Sequence, residues 1–291
     1  MGIGPFGSLR RILGTHYDVR GKTVLITGAG QGIGRELATI LHRRGAAIAL
    51  IDIDPAAARA AATELGDRAL ALGADVADRE AMEKAVARTA EHFGRLDVVV
   101  ANAGVVPRPA TLRTMDPAGF DRVIGVNLTG AFNTVRPALD HVLLVGGHVV
   151  VVSSCAAFAP GMGGSPYMIS KAGVEQLGRA LRVELAPHGA TAGVSYFGVV
   201  DTAMTHATLD RDDLGRAIDG LLPWPLSRRI TAAAAARVIA DGIGRRAPHT
   251  IAPSGWEAYA LLRGVVNVAL DRRLARDPRL AALIRRIENR P

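Results

Sequence analysis

Three residues in the second half of the chain have the types and spacing needed to move a proton. Tyr167 and Lys171 lie four positions apart in a helix-like segment, so their side chains share one face. Ser154 precedes the tyrosine by thirteen residues. A free tyrosine titrates at about 10, and a neighbouring ammonium lowers that pKa by stabilising the phenolate. Taken alone, the Tyr/Lys pair could also be a solvated feature of an amphipathic helix.

A second pattern indicates a binding turn for phosphate groups. Residues 27–34 read TGAGQGIG, a T-G-x-x-x-G-x-G pattern built on Gly28, Gly32 and Gly34, between a strand-like and a helix-like segment. Glycines allow a tight turn and a close backbone approach, and the helix N-terminus favours a pyrophosphate. A glycine turn can be purely structural, but its place after the first strand favours a dinucleotide site.

A carboxylate at the end of the second strand bears on the choice of dinucleotide. Asp52 can accept both ribose hydroxyls of NAD and would repel the 2′-phosphate of NADP. Neither Gln31 nor Ile53 supplies a cation for that phosphate. Asp54, followed by Pro55, suits the N-cap of the next helix and leaves Asp52 for the ribose. The sequence therefore favours NAD over NADP.

The elements that must position these residues alternate between strand and helix. Predicted strands cover Lys22–Thr27, Ala46–Asp52, Leu70–Ala74, Leu96–Ala101, Gly147–Ser153, Thr191–Phe197 and His249–Ala252. Predicted helices cover Gly32–Arg44, Pro55–Leu65, Arg79–Phe93, Asp116–Leu144, Tyr167–Leu185 and Thr231–Ile243. Apolar runs such as VVVA and VVVV are typical of parallel strands buried on both faces. We expect one α/β domain over residues 21–255, a Rossmann-type doubly wound sheet of about seven parallel strands with helices on both faces.

Taken in order, the motifs resemble those of the short-chain dehydrogenase/reductase family in its single-domain form. The resemblance covers about residues 20–255 and includes the glycine turn, the Asn-Ala-Gly at 102–104 and the Y-x-x-x-K pattern. It implies that Tyr167 is the general acid/base, and that Lys171 lowers the pKa of Tyr167 and binds the nicotinamide ribose. It further implies that Ser154 holds the substrate oxygen and that Asn127 supports a water-linked proton path.

The expected cofactor contacts combine the residue patterns with those that the resemblance implies. They are Gly28, Gln31, Gly32, Ile33, Gly34, Asp52, Ile53, Asp75, Val76, Asn102, Ala103, Gly104, Tyr167, Lys171, Gly198, Val200 and Thr202. Two positions depart from the family pattern: Ala101 stands where an asparagine is usual, and Phe197 where a proline is usual. The second change alters the expected nicotinamide wall, but neither change affects the acid/base residues.

The segment at 203–226 corresponds to the family's substrate loop. Together with Val105, Val106, Phe158 and Met162, its Met204 and Trp224 are expected to line a pocket for an apolar secondary alcohol or ketone. The alternative is that these apolar groups only pack against the last helix.

Composition limits the remaining classes of function. The net charge is +8, and about +5 of it lies between Ala260 and the C-terminus, within a basic extension at 256–291 where Ala258–Leu270 has helical apolar spacing. This extension could cover the cleft, pack at a subunit interface or make peripheral contact with an anionic membrane; we favour the first two. Residues 1–20 form an N-terminal extension without the features of a secretory signal, and no apolar run suggests a membrane span.

The single cysteine, Cys155, and the scattered histidines predict no disulfide framework and no metal site, and no nucleic-acid partner is expected. We expect a cytoplasmic homo-oligomer, the latter because family members commonly assemble. The sequence predicts an NAD-dependent dehydrogenase or ketone reductase acting on CH–OH groups. Two alternatives stay open: an enzyme of the same fold that uses NADP or reduces a C=C bond, and a non-catalytic nucleotide-sensing or membrane-associated binding protein. The intact Ser154, Tyr167 and Lys171 argue against the last.

Overall fold

A parallel sheet forms the centre of the molecule. The structure, a computed structural model, describes residues 16–161, 163–221 and 223–289. The strands are β1 Thr23–Thr27, β2 Ala47–Asp52, β3 Ala69–Gly73, β4 Val98–Ala101, β5 His148–Val152, β6 Thr191–Phe197, β7 Val200–Asp201, β8 Ile230–Thr231 and β9 His249–Ala252. Seven of them pair in the order β3-β2-β1-β4-β5-β6-β9, and β7 pairs with β8 separately. Every pairing is parallel. The predicted doubly wound sheet is confirmed.

Helices connect these strands and cover both faces of the sheet. They are α1 Gly32–Arg43, α2 Pro55–Leu65, α3 Arg79–Phe93, α4 Pro117–Ile124, α5 Gly130–Val135, α6 Leu139–Leu144, α7 Ser165–Leu185, α8 Ala203–Thr205, α9 Asp213–Asp219, α10 Ala232–Arg245, α11 Gly255–Leu274 and α12 Pro278–Glu288. The two faces of the sheet carry separate apolar clusters. All residues of β4 and β5 are buried, as the non-alternating valine runs predicted.

The strand order places the functional loops at one edge of the sheet. The chain passes from β1 to β2 and β3 on one side, then returns to pair β4 with the other side of β1. The loops after β1 and β4 therefore diverge from the same point of the carboxyl edge, where doubly wound sheets bind ligands. The ends of β5 and β6 follow along this edge.

Several local features differ from the expectations. The helix predicted over 116–144 is interrupted by a π-helical turn at Gly125–Thr129 and a 3₁₀ turn at Arg136–Ala138, which contains Pro137. The strands β7 and β8 and the helix α12 were not predicted, and α11 is longer than the predicted 258–270. Of the N-terminal extension, only residues 16–20 belong to the described part of the chain.

One buried carboxylate joins the starts of the two central strands. The side chain of Asp97 is inaccessible to solvent, and its Oδ2 accepts hydrogen bonds from Thr23 N at 3.0 Å and from Arg95 Nε at 2.7 Å. Its Oδ1 accepts from Arg95 Nη2 at 2.6 Å and lies 3.4 Å from Lys22 Nζ. These contacts tie β1 to β4 at the edge opposite the functional loops.

Replacing Asp97→Ala should lower the free energy of unfolding by about 2–3 kcal/mol, because it leaves the Thr23 amide and two cations without their buried partner. Urea unfolding followed by circular dichroism measures the change. Glu64→Ala is the control, because it removes an exposed ion pair with Arg35 and should cause little change. If Asp97→Ala and Glu64→Ala lowered the free energy of unfolding equally, Asp97 would not stabilise the contact between β1 and β4 as proposed.

Candidate active site

A large cleft opens at the carboxyl edge of the sheet. Its volume is about 1380 Å³, more than the roughly 300–1,000 Å³ of an ordinary small-molecule pocket, so it has room for two ligands. The structure brings the expected cofactor contacts together along one side of this cleft, with the exception of Gly34. Ser154, Tyr167 and Lys171 lie in the same cleft.

The glycine turn after β1 has the geometry of a binding loop. Gly28 and Gly32 have φ angles of +64° and +56°, which side chains other than glycine rarely adopt. Gly34 lies beneath the turn: a Cβ there would be 2.2 Å from the carbonyl oxygen of Gly28. The amide of Asn102 donates to Thr27 O at 2.9 Å and so holds the β4 loop against this turn.

Two aspartates lie at the carboxyl end of β2, and the predicted cap at Asp54 is confirmed. Asp54 caps α2 by accepting from Ala56 N and Ala57 N. Asp52 lines the cleft, where its Oδ2 accepts from Gly30 N at 2.8 Å and its Oδ1 from Asp54 N. Each oxygen keeps a further lone pair for a ligand hydroxyl. The turn, the start of α1 and this carboxylate fit the pyrophosphate and ribose of a dinucleotide.

Ser154 and Tyr167 meet where β5 and α7 approach each other. The Ser154 hydroxyl accepts from Ala156 N at 3.1 Å and donates to Phe197 O at 3.2 Å. Tyr167 stands in the first turn of α7, which begins at Ser165. Burial raises the pKa of Tyr167, while its hydrogen bond with Ser154 lowers it.

Lys171 lies one helical turn further on, as its spacing predicted. It is 4% exposed, its Nζ donates to Val152 O at 2.9 Å, and the same nitrogen is 5.7 Å from the Tyr167 ring centre. Burial lowers the pKa of Lys171 to about 8. Burial has the largest influence on the pKa of both residues, and the lowering of the Tyr167 pKa by Lys171 stays a prediction.

Asn127 lies behind the cleft in the π-helical turn. It is 1% exposed, and its Nδ2 donates to Val105 O at 2.9 Å and to Ser170 Oγ at 3.0 Å. Its Oδ1 accepts from Val105 N at 2.7 Å. A Cβ on Gly104 would lie 3.3 Å from both this oxygen and Lys171 Nζ, so the amide oxygen and the ammonium face the same small space.

Two of the expected substrate residues are not in the cleft. Val105, Val106 and Met204 line it, but Phe158 is only 4% exposed and packs among the rings of Tyr196, Trp256 and Tyr259. The turn that begins at Pro223 leaves Trp224 83% exposed and outside the lining. Met162 lies outside the described residues.

The helices of the C-terminal extension supply cleft-lining residues that the sequence did not predict. Trp256, Tyr259, Val266 and Leu270 of α11 all face the cleft. Trp256 is buried beside Gly198, where a Cβ would lie 2.6 Å from its Nε1, so residue 256 is not a structural boundary. Only the helical apolar spacing of this segment could have indicated a packing face.

Side-chain contacts fix these two helices to the domain. Arg263 pairs with Glu175 on α7, and its guanidinium lies 4.7 Å from the Phe158 ring centre. Asn267 donates to Phe158 O at 2.7 Å. On α12, Glu288 accepts from Thr111 and Arg113. These contacts anchor the extension beside the cleft, where residues of α11 and α12 form part of the lining.

Some negative findings apply to the part of the chain that the structure describes. There, no three His, Cys, Asp or Glu side chains form a group that could hold a metal ion. No helix there is long and apolar enough to cross a membrane. Cys155 is buried, and burial raises the pKa of its thiol, which keeps it protonated and unsuited to nucleophilic attack.

Gly34→Ala should lower the free energy of unfolding by about 2–3 kcal/mol, although alanine normally favours a helix, because its Cβ would collide with a backbone carbonyl. Gly264→Ala in α11 is the matched control: nothing lies within 4 Å of its Cβ position, so it should be neutral or slightly stabilising. Thermal unfolding of both variants gives the comparison. If Gly34→Ala left the free energy of unfolding unchanged, the turn would have enough space for a Cβ and the predicted collision would be wrong.

Comparison with known proteins agrees with this geometry. The chain matches the family model described as short chain dehydrogenase over residues 22–213. It is 34% identical over 214 residues to (2S)-[(R)-hydroxy(phenyl)methyl]succinyl-CoA dehydrogenase subunit BbsD of Thauera aromatica, covering 71% of this chain and 86% of that protein. It is 34% identical over 209 residues to 2-(R)-hydroxypropyl-CoM dehydrogenase of Xanthobacter autotrophicus, covering 69% and 84% of the two chains.

Among solved structures, 3-ketoacyl-(acyl-carrier-protein) reductase of Brucella melitensis, complexed with NADH, aligns with a TM-score of 0.71 at 28% identity, over 80% of this chain and 97% of that one. The family-model match extends through the glycine turn and α7. The chain therefore belongs to the short-chain dehydrogenase/reductase family.

Proposed function

We propose that the protein is an NAD-dependent oxidoreductase that interconverts an apolar secondary alcohol and its ketone, with Tyr167 as general acid/base. The observation that carries this proposal is the meeting of Ser154, Tyr167 and Lys171 in one cleft beside the glycine turn. The names of the two relatives above, a hydroxyacyl-CoA dehydrogenase and a hydroxypropyl-CoM dehydrogenase, support an alcohol at the reacting carbon.

The cofactor-facing residues supply binding and orientation. The glycine turn and the start of α1 would hold the pyrophosphate, and Asp52 the adenosine ribose. Lys171, beside Gly104, would hold the nicotinamide ribose. When bound, the nicotinamide exchanges a hydride with the substrate carbon. The loop at Gly198, Val200 and Thr202 closes this side of the cleft.

The proton chemistry belongs to Tyr167. Because burial keeps its phenol protonated at neutral pH, Tyr167 can donate a proton to the oxygen of a ketone that is being reduced. The Ser154 hydroxyl, held at Phe197 O, can turn to the same oxygen and stabilise its developing negative charge. Lys171, with a pKa of about 8, adds a positive charge below that pH.

Asn127 acts through its neighbours. Its hydrogen bonds fix the Val105 backbone and Ser170, and Ser170 in turn donates to Tyr167 O at 2.8 Å. The Asn127 side chain therefore fixes the position of the Val105 backbone relative to the start of α7. Its amide oxygen faces the space beside Lys171. A water-linked proton path from that space is part of the proposal.

Tyr167→Phe should lower kcat by about a thousandfold without weakening NADH binding, because it removes the transferable proton and keeps the ring. Initial rates with a panel of apolar secondary alcohols and ketones, together with NADH fluorescence titration, test this. Tyr17→Phe is the matched control, since it makes the same change at a tyrosine that lies away from the cleft. Retained turnover in Tyr167→Phe would exclude the acid/base assignment.

Wild-type protein should bind NADH at least tenfold more tightly than NADPH, about 1.4 kcal/mol, because the Asp52 carboxylate repels a 2′-phosphate. Asp52→Asn should narrow this ratio, since it removes the charge at nearly constant shape. Asp54→Asn, which keeps a good N-cap two residues away, should leave the ratio unchanged. Tighter binding of NADPH by the wild type would favour the NADP-dependent alternative and would not contradict the proposed alcohol–ketone chemistry.

Other expectations stay predictions. A cytoplasmic location and a homo-oligomeric assembly have no direct test in a single chain. The outer face of α11 exposes Leu261, Leu262, Val265 and Val268, an apolar surface available for subunit packing or for peripheral contact with a membrane.

A further inference from the structure

The wall formed by α11 leads away from the catalytic residues. Trp256, in its first turn, lies beside Gly198, and the preceding carbonyl of Phe197 accepts the hydrogen bond of Ser154. This end of α11 is therefore the catalytic end. Arg273 lines the cleft near the other end of the helix. At 1.5 Å of rise per residue, Trp256 and Arg273 are about 25 Å apart along the axis.

The far end of this wall is basic. Arg273 and Arg279 line the cleft and, with Arg272 and Arg276, surround a small hollow at the turn between α11 and α12. Within the described residues, the guanidinium groups of Arg272, Arg273 and Arg276 form no hydrogen bond or ion pair. Arg279 donates to Asp277, which also lines the hollow, through Nε and Nη2 and keeps Nη1 for a further partner. Guanidinium groups that the fold leaves without a partner beside a cleft favour an anionic ligand.

Between the two ends the lining is apolar. Val266, Leu270 and Leu274 of α11 and Leu280 of α12 all face the cleft. A short ligand at Ser154 would leave this surface in contact with water, whereas a long apolar chain would cover it. The glycine turn and Asp52, which fit the dinucleotide, lie at the carboxyl ends of β1 and β2 and not on α11.

We propose that the substrate is elongated and amphiphilic, with its alcohol or ketone carbon at Ser154 and Tyr167, an apolar chain along α11 and an anionic group held by Arg273 and Arg279. The inference rests on the proposed function and narrows its substrate class. The anionic group lies about 20 Å from the reacting carbon, which allows for the reach of the arginine side chains. A carboxylate or a phosphate has the required chemistry.

The experiment uses two pairs of substrates, and within each pair only one member carries an anionic group. One pair is palmitate hydroxylated on its penultimate carbon and the methyl ester of that acid. The other is the phosphopantetheine thioester of hydroxybutyrate and the corresponding pantetheine thioester, which lacks the phosphate. The first pair tests a carboxylate and the second a phosphate, so the pair that responds identifies the source of the charge.

The charged member of at least one pair should have a KM at least tenfold lower than its neutral partner. The double variant Arg273→Gln/Arg279→Gln should remove this advantage and leave kcat and the neutral substrate nearly unchanged. Added salt should raise the KM of the charged substrate alone, because it screens the attraction. Arg285→Gln is the control: it lies on α12 beside a different hollow, and its loss should have no effect.

Binding without turnover separates this inference from the proposed function. Fluorescence titration, with Trp256 in the cleft as reporter, compares palmitate with methyl palmitate. Equal affinities, together with equal KM values in both substrate pairs, would overturn the anionic site even if the enzyme turns over its alcohols. Weaker NADH binding by the double variant would assign the arginines to the cofactor and also overturn it. Tighter binding of palmitate with no turnover of any alcohol would support the anionic site and refute the oxidoreductase proposal.

Discussion

The ammonium group of Lys171 is buried at the end of β5, where Val152 O accepts its hydrogen bond. A charge removed from water is stable only if polar groups surround it, and the nearby elements are arranged to provide them. Ser153 Oγ donates to the Lys171 backbone carbonyl at 2.7 Å, so residue 171 is bonded to β5 through both its side chain and its main chain. Gly104 leaves room for the ammonium beside the Asn127 amide oxygen.

The same contacts determine where α7 runs. Gly178 lets the helix approach the sheet closely, since a Cβ there would lie 2.6 Å from Val151 and 2.4 Å from Val194. One turn after Lys171, Glu175 reaches outwards and pairs with Arg263 of α11. Helix α7 is thus bonded to the sheet on one side and to α11 on the other. The positions of Lys171 and of the cleft wall formed by α11 are therefore coupled through one helix.

Features set by local sequence could be predicted. The glycine turn, the cap at Asp54 and the Tyr167–Lys171 spacing depend on residues close together in the chain, and the buried strands have an apolar pattern that needs no partner to be recognised. The position of the Phe158 side chain, in the core and not in the cleft lining, could not be predicted in this way. Whether a large aromatic after Ser154 faces a ligand or the core depends on Trp256 and Tyr259, a hundred residues later in the chain.

The C-terminal extension shows the same limit. Its apolar spacing predicted a helix but not which face would be covered, because α11 is apolar on both its cleft side and its outer side. The prediction for Trp224 was wrong because of local turn geometry. An aromatic residue within an apolar segment suggested a pocket, but a tight turn that begins at Pro223 directs its side chain outwards. Long-range packing and turn geometry, not residue type, decided both positions.

For Tyr167 and Lys171, the pKa direction expected from the sequence differs from the direction that burial produces in the structure. Spacing alone suggested that the lysine would make the tyrosine more acidic, but placing both side chains in a cleft favours the neutral form of each. A protonated phenol beside a lysine with a pKa of about 8 is ready to give a proton without any change of state. To accept one, Tyr167 must first be present as the phenolate, which positive charge in the cleft would stabilise. By itself, the protein therefore holds Tyr167 in the protonated state that the proposed reduction of a ketone would use.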